Sequence, residues 1–138
     1  MSRYVNAILA ERVTKRADGR CEYCLIATDD TYFGGEIDHI RSLKHGGKTT
    51  FDNLALACQP CNRKKGTDLG SVLPNTHEIV RFFNPRIDLR AEHFKVDPKG
   101  EIGALTEIGK VTADIFGFND RERVAERKGL IEIGYYIT

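Results

Sequence analysis

Residues 21–24 read CEYC and residues 58–61 read CQPC, two C-x2-C pairs with 33 residues between them. A turn of that length aims two sulfurs at one point. A tetrahedral zinc ion takes four thiolate or imidazole ligands, with sulfur at about 2.3 Å, so two pairs close one coordination shell. A closed shell leaves no position for substrate, and a zinc held by Cys21, Cys24, Cys58 and Cys61 is therefore expected to be structural. The segment from 21 to 66 is too short to bury much apolar surface. Structural zinc, with apparent binding on the order of 10 kcal/mol, compensates for that deficit. The competing readings are a dithiol redox centre and unrelated cysteines. Neither pair follows a strand in a thioredoxin-like βαβ pattern, which favours the metal.

A second group lies between the pairs. In "GGEIDHI", residues 34–40, two ionisable side chains, Asp38 and His39, stand next to each other between isoleucines. Successive side chains of a regular strand point to opposite faces, so Asp38 sides with Glu36 and Ile40, and His39 with Ile37 and Arg41. Two neighbours that share one chemical task require the strand near 37–40 to twist, bulge or end.

With "DNLALACQPCNRKKG" at 52–66, the pattern resembles the HNH endonucleases of the ββα-metal class. His39 stands for the first letter, Asn53 for the second and Asn62 for the last, where the family name has His. The resemblance covers residues 21–66 and rests on the cysteine pairs, the Asp-His pair, the "NL" after the loop and the "CN" followed by "KKG". It implies a ββα-metal fold and cleavage of DNA; the residues by themselves fit RNA equally. It also implies that Asn53 holds the loop between the strands and helps orient the base.

The residue types suit that chemistry. A neutral histidine, with a reference pKa of about 6.5, takes a proton from water near neutral pH, which makes His39 the expected general base. A hard cation such as Mg2+ or Mn2+ prefers oxygen and keeps several waters, so one carboxylate and one amide suffice, here Asp38 and Asn62. If Cys61 and Asn62 share a first helical turn, their side chains diverge by about 100°, and one short helix serves both metals. Arg41, Lys44 and Lys48 around the loop and Arg63, Lys64 and Lys65 after Asn62 are candidate contacts to a nucleic-acid backbone. For any one of them, ordinary solvated charge is the plainer account. His45 is a loop or phosphate contact in this reading, while His77 and His93 have no matched role.

The elements that must position these residues follow from periodicity and punctuation. Val5, Ile8, Leu9 and Val13 predict an amphipathic helix over about 4–17. "TYFGGEIDHIRSL" reads as a strand, "KHGGKTT" as a loop and "FDNLALA" as a returning strand. Pro60 and Gly66 bound a short helix. Beyond "GTDLGSVLPN", rich in Gly, Pro and polar residues, the pattern changes, and "THEIVRFFNPR" reads as a short helix or turn. "EHFKVDPKGEIGAL" reads as a hairpin around "DPKG". Thr106 and Asp120 start two further helices. The fold class is α+β: a zinc-stapled ββα-metal core with an N-terminal helix and a C-terminal lobe of hairpin and helices. The 138 residues suggest one domain, with its core at about 18–68 and an extension at about 75–138. That extension looks like one carried by a group of bacterial HNH proteins. Phe82, Phe83, Phe94, Ile102, Leu105, Ile108, Ile115 and Phe116 are its expected core.

Net charge is +1, well short of a strongly basic nucleic-acid binder, but it is uneven along the chain. Residues 1–66 hold 11 Lys and Arg against 8 Asp and Glu, whereas residues 67–138 hold 10 against 12, so the first half is the better home for an anion. The N-terminus carries charge throughout and no stretch has the length of a membrane span, from which a cytoplasmic protein is expected. A non-catalytic zinc-dependent nucleic-acid-binding module is the alternative to a nuclease. Purified protein is expected to carry one zinc per chain by elemental analysis, lost in Cys58→Ser; metal-free protein with a reversible disulfide would instead support the redox reading.

Overall fold

The computed structural model describes residues 4–32 and 34–136. The chain forms two compact units, Met1–Leu69 and Gly70–Thr138. The described residues of both combine short helices with small antiparallel pairs, an α+β fold.

The first unit begins with α1 (Ala7–Arg16), capped by Asn6, whose side chain accepts from the Leu9 amide at 2.8 Å. Two strands follow, β1 (Gly35–His39) and β2 (Leu54–Cys58), antiparallel with Asp38 opposite Ala55 and His39 opposite Leu54. From β2 the chain passes directly into α2 (Gln59–Lys65), with Pro60 in the first turn. That is a ββα order.

All five residues of β2 are buried. Val13 of α1 packs with Leu54 and Leu56, and Val5, Leu9, Ile37 and Phe51 lie around them. Full burial of each such side chain is worth about 1.5–3 kcal/mol, so this small cluster is substantial for a unit of its length. Ile8, expected in the same stripe, is 76% exposed. Arg16 secures α1 by donating to the carbonyls of Phe51 and Leu54 while its guanidinium lies over the Phe51 ring. The outer edge of β2 is met by Glu22, whose amide donates to the Leu56 carbonyl and whose carboxylate accepts from the Leu56 amide.

The loop from β1 to β2 is held by Asn53. Its Oδ1 accepts from the Arg41 amide at 2.9 Å, and its Nδ2 donates to the carbonyls of Arg41 and Lys48 at 2.8 and 2.9 Å. Gly46 adopts φ 83°, and Gly47 passes so close to Arg41 that a Cβ there would lie 1.7 Å from the Arg41 carbonyl oxygen.

In the second unit, part of the segment read as a short helix or turn forms instead a strand of a hairpin with the Gly- and Pro-rich stretch before it. β3 (Gly70–Val72) lies antiparallel to β4 (Ile79–Arg81). The strands are three residues each and α4 packs on both, so contact rather than local propensity selects them. After α3 (Arg90–His93) comes the expected hairpin, β5 (Phe94–Val96) with β6 (Ile102–Ala104). Thr106 caps α4 (Glu107–Phe116), accepting from the Gly109 amide, and Asp120 precedes α5 (Arg121–Glu132). Phe82, Phe83, Phe94, Ile102 and Phe116 are buried as expected, joined by Phe118. Leu105 is a correction at 55% exposed, because it lies between β6 and the α4 cap rather than on the helix face. His93 is buried, with Nδ1 2.6 Å from the Thr106 hydroxyl, a structural part of the α4 start.

Replacing Gly47 by Ala is expected to displace the β1–β2 loop and to cost about 2 kcal/mol or more. Urea unfolding of the variant beside the parent measures that cost, and unchanged stability would mean that the Arg41 carbonyl yields freely.

Candidate active site and zinc finger

The four cysteine sulfurs lie within 4.8 Å of one another, all four residues buried. Cys24 Sγ and Cys58 Sγ are 3.7 Å apart. Sulfurs at tetrahedral corners about 2.3 Å from a zinc ion stand roughly 3.8 Å apart, so this spacing fits a metal and is far beyond a bonded disulfide. The backbone preshapes the turn: the Leu25 amide donates to the Cys21 carbonyl, Leu25 takes φ 66°, and the Cys24 amide points at Cys21 Sγ. Burial pushes the Cys21 and Cys61 thiols well above their ordinary value, while a hydrogen bond from Cys21 draws Cys58 down. A cation resolves the cost by taking thiolates.

Cys58 ends β2 and Cys61 lies in the first turn of α2, so the cluster fixes how α2 leaves the strand. The next residue, Asn62, belongs to a different neighbourhood. Its Nδ2 donates to Glu36 Oε1 at 3.0 Å, and Arg63 donates to both Glu36 oxygens at 3.1 and 2.9 Å. Arg63 holds the Glu36 carboxyl below its ordinary value, against the opposing effect of burial. An ionised carboxylate only accepts, so the amide presents its NH2 to Glu36 and keeps its oxygen for another partner.

Asp38, 4% exposed, is held from both sides. Its Oδ2 accepts from the Tyr23 hydroxyl at 2.6 Å and its Oδ1 from Lys65 Nζ at 3.2 Å. Lys65 also donates to the His39 carbonyl at 3.0 Å. Burial raises the Asp38 carboxyl from its ordinary value, with the Lys65 ammonium and the Tyr23 hydroxyl pulling the other way. Burial and the Asp38 charge keep the Tyr23 phenol protonated, hence a donor.

β1 keeps a regular register and ends at His39, one of the outcomes the Asp-His pair requires. His39 Nε2 lies 2.9 Å from the Thr49 hydroxyl. Asp38, His39 and Asn62, with Ser42, Lys44 and Arg63, line one cavity of about 370 Å³. Asn53 stays behind it as the loop clamp. Arg41, Lys44, Lys48, Arg63 and Lys64 are exposed. Lys65 is a correction: at 2% exposed it cannot lie along a nucleic-acid backbone, because its ammonium is spent on Asp38 and the end of β1. His45 and His77 are exposed.

Four partners escaped the sequence reading of the site: Glu36 under Asn62, Tyr23 and Lys65 on Asp38, and Thr49 on His39. Glu36 and Lys65 had a signal, since residues two apart on a strand and three apart on a helix share a face. Tyr23 and Thr49 had none, because both reach their partners across the fold.

A ββα unit with a four-cysteine finger and this cavity defines a class, and residues 21–68 match the family model described as HNH endonuclease. That segment is an HNH domain with a four-cysteine metal site. The chain is also 27% identical, over 145 residues, to Septu protein PtuA of Bacillus mycoides (strain KBAB4); the match takes in 85% of this chain but 20% of that protein. Among the described residues no helix is long and apolar enough to cross a membrane.

Lys65→Met is expected to destabilise the fold by about 3–5 kcal/mol in urea, since it leaves the Asp38 charge buried without its cation. Adding Asp38→Asn should recover part of that loss; full additivity of the two changes would mean that the ion pair contributes nothing.

Proposed function

We propose that the protein is an endonuclease that hydrolyses phosphodiester bonds of DNA, with a structural zinc on the four cysteines and one catalytic Mg2+ or Mn2+. The observation that carries this reading is the convergence of Asp38, His39 and Asn62 on one cavity, with Arg63 and Lys44 at its wall. Asp38 and the Asn62 amide oxygen would hold the divalent cation, a donor set suited to a hard ion that keeps its waters. When bound, that cation supplies Lewis-acid stabilisation of charge on the phosphate and leaving oxygen. His39 takes the proton of the attacking water. If its Nε2–H donates to Thr49, the lone pair lies on Nδ1, which makes Nδ1 the accepting atom. Asn53 holds the loop that carries Thr49, so it orients the base indirectly. Arg41, Lys44, Lys48, Arg63 and Lys64 position the phosphate backbone without reading sequence.

Lys65 already neutralises Asp38, so the cation gains less from that carboxylate and should bind weakly, at millimolar concentration in order of magnitude. The same ion pair favours a second reading, a zinc-dependent module that binds nucleic acid without cutting it. A supercoiled-plasmid assay with Mg2+ or Mn2+ separates the two. The parent is expected to nick, and His39→Ala to be slower by about 10²–10⁴-fold with zinc content unchanged. Equal cleavage by both removes His39 as the base, and retained binding with no nicking across metals and substrates favours the binding module.

A further inference from the structure

Tyr23 lies between the first two cysteines, fully buried, and reaches out of the zinc finger to Asp38. The residues between the cysteines of such a turn have no duty to the metal, and Phe would fill the same space. The hydroxyl is therefore the informative atom. A carboxylate that ligates a cation must keep its plane fixed, and an aspartate on a strand turns freely about its last bond unless donors hold it. Here one oxygen is taken by Lys65, an element of α2, and the other by Tyr23, an element of the finger. Asp38 and Asn62 both line the same cavity.

We propose that Tyr23 is a positioning residue for the divalent cation: its hydroxyl fixes the Asp38 carboxylate and so ties cation affinity at the end of β1 to the folded zinc finger. The proposal rests on Asp38 being a cation ligand. It assigns the finger a second task besides stability, since the turn that binds zinc also carries the donor that orients a ligand of the other metal. Partners of this kind typically contribute 10–100-fold to metal affinity.

The test is Mn2+ binding by the zinc-loaded full chain, followed by the paramagnetic resonance of free Mn2+, for the parent, Tyr23→Phe and Asp38→Asn. Asp38→Asn should abolish binding. Tyr23→Phe should weaken it about tenfold with zinc stoichiometry and circular dichroism unchanged, and plasmid nicking by this variant should return toward the parental rate as Mn2+ is raised. Parental affinity in Tyr23→Phe, with binding lost in Asp38→Asn, overturns the positioning role alone. Parental affinity in both variants removes Asp38 as a ligand and the proposal with it. Should Tyr23→Phe fail to retain zinc, 19F resonances of parent protein labelled with 3-fluorotyrosine decide: Mg2+ should shift the Tyr23 signal in the parent and not in Asp38→Asn, and a signal unmoved at saturating Mg2+ overturns the proposal.

Discussion

The junction of β2 and α2 is where the first unit is decided. Cys58 is the last strand residue and the residue before the helix, and Cys61 follows one turn of chain later, so the sulfur cluster dictates the direction in which α2 departs. That direction carries Asn62 to Glu36 and Lys65 to Asp38. Seven helical residues could not hold such a pose by propensity, since isolated helices shorter than about 12 residues are marginal in water. The four buried sulfurs, which burial keeps from ionising on their own and which a cation stabilises as thiolates, supply the missing constraint.

The buried pair of Lys65 and Asp38 is a poor source of net stability, because withdrawing two charges from water costs several kcal/mol per ion before their attraction is counted. Its geometry gives it a different use. Lys65 Nζ touches a carboxylate oxygen and the backbone carbonyl of the next residue, so the end of α2 is pinned to the point at which β1 stops. Moving either element would strand a charge. The pair therefore defines a register between helix and strand that apolar contacts alone, being tolerant of sliding, would leave loose.

Much of this was legible in the sequence because it is local. The C-x2-C spacing, Pro60 in the first turn of α2 and Gly66 after it, the Thr106 cap and the alternation around "DPKG" are short-range signals, and each element they mark is present. The losses are equally physical. β3 and β4 were hidden because three-residue strands have no period to read and take their conformation from α4. Lys65 was hidden by its company: in "NRKKG" it resembles solvated charge, although position 65 shares a helical face with Asn62. Tyr23 was hidden because nothing in "CEYC" tells which intervening side chain turns inward.

The adjacent pair Asp38 and His39 shows how alternation along a strand can be used rather than overcome. No bulge re-aims either residue. Asp38, on the face shared with Glu36, is fixed by the finger through Tyr23 and by α2 through Lys65. His39, on the opposite parity, is met by Thr49, in a loop that Asn53 ties at Arg41 and Lys48. The strand ends there, so the two side chains border one cavity although they leave the backbone in different directions. The two side chains thus meet different partners, the metal finger for Asp38 and the asparagine-clamped loop for His39, while Lys65 joins them by donating to the Asp38 carboxylate and the His39 carbonyl.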